Sequence, residues 1–516
     1  MNITRKKFLG LTGGAIATLP LGSIAFTACN KRLALPDNRK RKDAIAIPPF
    51  QAPLPIPPVL QPVRSDSTTD YYEITQKAGE MAILPGLRTP IWGYNGIFPG
   101  PTIAVNSRRQ VVVRHRNELP VPTVVHLHGG KTPPESDGYA TDLILPVHAT
   151  ETERATHSEH PTVGGIGHGF KDYTYPNDQP SATLWYHDHR DMFTGPQVYK
   201  GLAGFYLVHD AIEDTLSLPR GDKDIPLMIS DHLFNEDGSF FYPSLDAELH
   251  EPGLANGYHN GVQGNTVLVN GAPFPFLEVS NTRYRFRFLN ASNRRIYRLA
   301  LDPAPAEVAF TQIGSDGGLL PAPVPQTKLV MAPAERFDVV IDFSHYAVGT
   351  QVGLRNLDGE GPTSQVMRFD VVRSQPDDST IPAQLAPDWE TLDPDQAEAT
   401  RRIILRRAGK RFQINGKEFD PNRTDIYPRL GSTEIWEIFA DIPHPFHMHL
   451  AHFQVLSRNN QAPAPWDIGW KDTVRVGSRE MVRVIPRFSP YRGKFMYHCH
   501  MLEHEDLGMM DNFEVI

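Results

Sequence analysis

The sequence predicts an all-β fold made of three similar β-sandwiches in tandem, preceded by an export segment and a tether. Three observations carry this expectation. Prolines and glycines number 47 and 40 among 516 residues, which implies many turns and favours sheets over helical bundles. A motif opening on Asn-Gly recurs three times, each copy running into an extended segment and then into strand-like alternation. The chain is also far longer than one ordinary core requires.

Residues 1–29 read as an address. Arg5, Lys6 and Lys7 precede a moderately apolar run and then small residues before Cys29. The stretch Arg5-Lys6-Lys7-Phe8-Leu9 resembles a twin-arginine export signal with lysine in the second arginine position. "FTAC" resembles a bacterial lipoprotein box with Phe26 where Leu, Val or Ile is usual. A single membrane anchor is the competing reading, and Gly13, Gly14, Pro20 and Gly22 oppose it. The expected location is therefore outside the cytoplasm: periplasmic, secreted or at the cell surface, with Cys29 as a candidate lipid attachment. Residues 30–69 are first basic (Lys31, Arg32, Arg39–Lys42) and then proline-dense ("PPFQAPLPIPPVLQP"), the composition of an extended tether.

The three modules are expected over 70–212, 213–390 and 391–516. "YNGIFPGPTIAVNSRRQVVVRHRN" (94–117) has a counterpart in "VNGAPFPFLEVSNTRYRFRFLNAS" (269–292) and a fainter one in "INGKEFDPNRTDIYPRLGSTEIWEIF" (414–439). In the second copy Tyr284, Phe286 and Phe288 alternate with Arg285 and Arg287, the pattern of a strand with one buried face. Copies roughly 145 to 175 residues apart are too widely spaced for a solenoid.

The first and third modules share a chemistry that the middle one lacks. "VVHLHGG" (124–130) and "TLWYHDHR" (183–190) correspond to "HPFHMHL" (444–450) and "KFMYHCHM" (494–501). Alternate strand residues share a face, so each pair His126/His128, His187/His189, His447/His449 and His498/His500 presents two imidazoles on one side. Imidazole suits copper, zinc, iron or nickel, and eight imidazoles exceed the needs of one ion, so a cluster is implied. The middle module has only single histidines and reads as a spacer or scaffold.

Cys499 faces away from its two histidine neighbours and therefore serves a second site. Only Cys29 and Cys499 occur in the chain, and loss or acylation of Cys29 would leave Cys499 without a disulfide partner. His504, a methionine at 509 and His444 complete a set of two imidazoles, one thiolate and a weak thioether, the description of a blue-copper electron-transfer site. Zinc would accept the first three ligands plus water; the methionine and the adjacent cluster favour copper.

Taken together, "HLHGG", "WYHDH", "HPFHMH" and "HCHMLEHEDLGMM" make residues 70 to 516 resemble a three-domain multicopper oxidase of the bacterial spore-coat laccase and bilirubin oxidase branch. The resemblance implies three cupredoxin-like Greek-key β-sandwiches and four copper ions: one type 1, one type 2 and two type 3. It assigns His444, Cys499, His504 and Met509 to type 1, with the family spacing choosing Met509 over Met510. It assigns His126 and His447 to type 2, and His128, His187, His189, His449, His498 and His500 to type 3. Asp137 and Glu505 match the family's acids and are expected to supply protons to oxygen, with Glu135, Glu503 and Asp506 as rivals. Donors are expected to give up electrons at an exposed edge of His504 or His444. Asp441 and Asp472 are candidates for orienting ligands. His148, His157, His160 and His168, in the loop 147–168, read as a solvated insertion.

The implied activity is one-electron oxidation of phenols, aromatic amines or bilirubin-like donors coupled to four-electron reduction of O2 to water. Oxidation of Cu(I) or Mn(II) is the alternative, weakened by the thin spread of the twelve methionines. A non-catalytic scaffold of the same fold would have lost ligands, and none is lost. A net charge of −8 gives no reason to expect nucleic acid, and a monomer is expected.

Overall fold

The Asn-Gly pairs that open the three repeat copies adopt one turn. Positive φ occurs at both residues of Asn95–Gly96 (57° and 71°), Asn270–Gly271 (50° and 81°) and Asn415–Gly416 (51° and 78°), as a two-residue type I′ turn requires. In each the Asn N–H donates to a carbonyl on a neighbouring strand, and its Oδ1 accepts from the N–H of that same residue: Thr75, Met228 and Ile404 respectively. The repeat in the sequence is thus a repeat in hydrogen bonding.

The computed structural model describes residues 47–157, 161–306 and 308–516. Residues 1–29, Cys29, the basic part of the tether and His160 lie outside the described residues. The structure is all-β, and its strands group into three sandwiches, each of two sheets about one apolar core. In the first, a sheet of Arg64–Ser65, Thr69–Met81, Thr89–Tyr94, Gln110–Asn117 and Phe170–Tyr175 packs on one of Gly100–Asn106, Ala203–His209, Ala182–Asp188 and Val125–His128. The second joins seven strands between Asp224 and Asp342 to five between Phe276 and Arg373. In the third, strands from Thr400–Ala408 to Glu480–Pro486 face a four-stranded sheet ordered Thr473–Val476, His444–Met448, Gly493–Cys499, Met510–Val515.

A parallel pair recurs in every module, between Thr69–Met81 and Gln110–Asn117, Asp224–His232 and Arg283–Asn290, and Thr400–Ala408 and Ile435–Ala440. Parallel neighbours require a crossover rather than a hairpin, so each module carries the same non-meander topology.

Two expectations need correction. The proline-dense stretch is not a free tether: Phe50 and Leu54 N–H groups donate to Phe274 and Phe276 carbonyls of the middle module, and Leu54 is buried in its core. Proline removes N–H donors, yet the remaining amides and one leucine suffice to dock the segment. Arg283–Asn290 is buried on both faces, with Arg285 and Arg287 2% and 1% exposed. They sit in a charge network with Glu213, Asp224 and Asp338; Arg287 bonds Glu213 at 2.9 Å and Asp224 at 2.8 Å. Pairing with carboxylates is what makes such burial tolerable.

Candidate metal centre

The histidine motifs face one another across antiparallel strands. His126 lies opposite His187 in the first module, and His447 opposite His498 in the third. Directly opposed residues share a face, so each module presents four imidazoles on one side. His444 stands three residues before His447 and therefore turns to the other face, where Phe446 opposes Cys499.

On that core face three side chains form a triangle. His444 Nδ1 lies 3.3 Å from Cys499 Sγ, His504 Nδ1 lies 3.7 Å from the sulfur, and the two nitrogens are 3.1 Å apart. A point equidistant from these corners is about 2 Å from each, the range of metal–imidazole and metal–thiolate bonds. The Met501 N–H points at the sulfur at 3.4 Å, a donor suited to a thiolate. Cys499 N–H donates to the Met509 carbonyl at 3.1 Å, tying the two segments together. Met509 packs in the same core cluster as Cys499, whereas Met510 packs with Tyr139, Ala140 and Met496.

His444 and His504 are both buried, against the expectation of an exposed donor edge. Phe412 stacks on His504 at 3.8 Å and 18°, Leu254 of the middle module joins the same apolar cluster, and the Asn260 backbone lies against His504. Asp441 approaches His444 Nε2 at 3.5 Å, while its oxygens accept from the Arg407 and Ile442 N–H groups.

Eight buried imidazoles from the first and third modules converge behind this triangle. Six of them have an outer nitrogen held, among them His126 Nδ1 by the Asp137 carbonyl at 2.6 Å, His187 Nδ1 by the Asp188 carbonyl at 2.8 Å, and His447 Nδ1 by the Asp472 carbonyl at 2.9 Å. His449 Nδ1 meets Asp137 Oδ2 at 2.6 Å, and His498 Nδ1 meets Glu505 Oε2 at 3.1 Å. These contacts turn Nε2 inward. His128 is reversed, with Nε2 on Asp472 Oδ1 at 3.0 Å and Nδ1 left facing in.

The inner nitrogens lack protein partners. His126 Nε2, His128 Nδ1, His187 Nε2, His447 Nε2 and both nitrogens of His500 are buried and unpaired. His189 and His449 each bring Nε2 to 3.2 Å from His498 Nε2. An unsatisfied buried polar atom costs about 1–3 kcal/mol, so this many orphans at one point make sense as ligands. Burial, reinforced by neighbouring histidines, holds His126, His449 and His500 well below the usual imidazole range, in the neutral form that binds metal. Neutral imidazoles and a buried sulfur fit copper.

The acids sort themselves by contact. Glu505 accepts from the Thr194 hydroxyl at 2.7 Å and faces His498 at 3.1 Å and His189 at 3.6 Å. Burial alone would raise its carboxyl, but His498 and His189 hold it down to about 2. Glu503 is taken up by Asn293 and Tyr242. Asp506 accepts from the Thr194 and Gly195 N–H groups at the start of the Thr194–Tyr199 helix. Asp137 is buried between two imidazoles and raised well above the carboxylate range by burial, while Glu135 is exposed. Among the described residues the loop histidines are not brought together, and His148 and His168 are exposed.

Sequence reasoning missed the middle module's share. Arg336 forms a bidentate pair with Asp472, through Nη1 to Oδ1 at 2.7 Å and Nη2 to Oδ2, and all of these groups are buried. Only the adjacency of Lys471 and Asp472 within an apolar strand context hinted at a buried charge network.

Comparisons with known proteins agree with this geometry. Family models described as multicopper oxidase match residues 390–516, and residues 75–161 with 167–213. A laccase of Bacillus stratosphericus is 38% identical, the alignment covering 90% of this chain and 99% of the relative. The bilirubin oxidase of Albifimbria verrucaria is 36% identical over 90% of this chain and 81% of its own. The crystal structure of a laccase from Pediococcus acidilactici superposes with a TM-score of 0.78 at 34% identity, covering 91% of this chain and 95% of that one. The chain therefore belongs to the multicopper oxidase family, as a laccase-like, copper-dependent oxidoreductase with O2 as acceptor.

Proposed function

We propose that the protein oxidises small organic donors, phenols, aromatic amines or bilirubin-like pigments, one electron at a time, at the His444–Cys499–His504 triangle, which together with Met509 would hold the electron-accepting copper. In this reading four copper ions would be held per chain: one type 1 ion at the triangle, one type 2 ion by His126 and His447, and two type 3 ions by His128, His187, His189, His449, His498 and His500. The observation that carries it is the division of one short segment between two faces: Cys499 in the triangle, His498 and His500 in the cluster. Bound copper supplies the one-electron redox chemistry that side chains lack.

The chain's residues do the rest. Consecutive covalent bonds join Cys499 to His498 and His500, giving electrons a short route between the sites. The Met501 N–H and the apolar cluster around Cys499 hold the sulfur in a dry, ordered setting. Glu505, a carboxylate that accepts from the Thr194 hydroxyl, relays protons toward oxygen, and Asp137 orients His126 and His449 while keeping a proton in reserve. An organic donor is favoured over Cu(I) or Mn(II) because Arg294 and Arg407 place positive charge near His504, and each oxygen of Asp441 already accepts a backbone N–H.

The three modules, bounded near 70–212, 213–390 and 391–516, work as a monomer. Export rests on the composition of residues 1–29, with acylation at Cys29 as a variant of that reading. Copper reconstitution followed by spectroscopy and O2 uptake, across phenolic, bilirubin, Cu(I) and Mn(II) donors, tests the proposal. Organic donors should drive the fastest uptake; faster uptake with a metal ion would reverse the substrate assignment, and no uptake with any donor would favour a scaffold.

A further inference from the structure

His128 and His447, from different modules, stack at 3.7 Å and 15°. Asp472 holds both, its carboxylate taking His128 Nε2 and its carbonyl His447 Nδ1, while the Thr473 hydroxyl lies 3.2 Å from each of the same two nitrogens. The first ring is thereby turned with Nδ1 inward and the second with Nε2 inward. Asp472 itself is fixed from the middle module. The Arg336 guanidinium grips both of its carboxylate oxygens, donates through Nε to the Thr183 carbonyl of the first module at 3.0 Å, and donates through Nη2 to the Asp316 carbonyl at 3.0 Å. Gly129, directly after His128, has φ +85°, and a Cβ there would lie 2.6 Å from Arg336 Nη2 and 2.8 Å from Asp472 Oδ2. The histidine motif thus carries a glycine where this ion pair passes.

We infer that Arg336 is a positioning residue for the copper cluster: by pinning Asp472 it fixes which ring nitrogens His128 and His447 turn inward, so the middle module is part of the site's assembly and not a spacer. The inference rests on the multicopper reading of the eight histidines. Geometry supports it over a purely structural role. A second buried network in the middle module, Arg285 with Glu213 and Asp338, has none of the eight histidines as a partner. The planar fork of Arg336 engages two oxygens at once, which a lysine cannot reproduce.

The test compares copper-loaded full-length R336M, R336K and D472N with wild type and with R285M, by copper content, EPR and chelator competition. Wild type must first show the blue band and a type 2 signal; their absence would sink the underlying reading and not this inference. R336M should keep the blue band per folded chain while its cluster copper binds 10–100-fold more weakly, the effect of losing a group that orients ligands. R336K should fall between, and R285M should keep full copper even if it unfolds more readily. D472N should lose cluster copper as well, because the amide NH2 can reverse the His128 tautomer. It decides the matter if R336M does not fold. Cluster affinity equal to wild type in R336M, or blue and cluster copper lost in parallel in D472N, would overturn the inference.

Discussion

Replacing Glu505 with glutamine removes one carboxylate able to relay a proton and changes almost nothing of its shape. The amide can turn its oxygen to His498, now 3.1 Å from the carboxylate, and its NH2 to the Thr194 hydroxyl at 2.7 Å. The loss is the charge on a hydrogen bond, about 1–2 kcal/mol, within the margin of a stable fold. Proton transfer is a different matter: a positioned acid contributes roughly 10²–10⁴-fold, or about 3–5 kcal/mol of barrier. Stopped-flow absorption separates the two halves of turnover. Under anaerobic conditions a donor should bleach the blue band of E505Q at the wild-type rate, because Glu505 is not part of the triangle. On mixing with O2, recovery of the band should slow about 10²–10⁴-fold. Glu503→Gln, whose carboxylate meets Asn293 and Tyr242, should recover like wild type. Recovery of E505Q within threefold of wild type, or bleaching slowed as much as recovery, would refute the role.

Two further predictions concern the surroundings of the sites. Phe412→Ala removes a fully buried ring stacked on His504 and should cost about 3–5 kcal/mol in denaturant melts, while altering KM for bulky donors and leaving the type 2 signal in place. Unchanged donor kinetics would show that Phe412 is core alone. His115 is buried among Tyr94, Tyr173 and Tyr186, and burial lowers its pKa to about 3. The unfolded chain therefore takes up the proton first as pH falls below about 6.5, and stability that is complete above that value is lost progressively toward pH 3. At pH 4 the contribution is roughly 3 kcal/mol, so H115F should lose that much less than wild type between pH 7 and 4.

The fold was legible because its repeat is local chemistry. Asn95, Asn270 and Asn415 each open a turn that needs left-handed backbone at two successive residues, and Asn-Gly meets that need with little strain. The candidate site was legible because strand alternation is rigid: an odd offset, three residues between His444 and His447 and one between Cys499 and His498, sends His444 and Cys499 to one face and His447 and His498 to the other. Burial was not legible. Arg285 and Arg287 alternate with aromatics as a solvated face would, and only the partners Glu213, Asp224 and Asp338, distant in sequence, reveal that the face is covered. Arg336 stands in "PAERFDVV" as an ordinary charge near a strand start, with nothing nearby to announce Asp472. The covering of His504 likewise comes from Leu254 and Asn260, in a loop with no motif of its own.

The most direct test of the two-site account is copper content and EPR of Cys499→Ser beside wild type. The histidine cluster does not use the sulfur, so the variant should lose the intense blue band and one copper per chain, retain three, and keep a type 2 signal. A variant that stays blue would contradict the thiolate assignment, and one that loses all copper together would contradict the division of this segment between two sites.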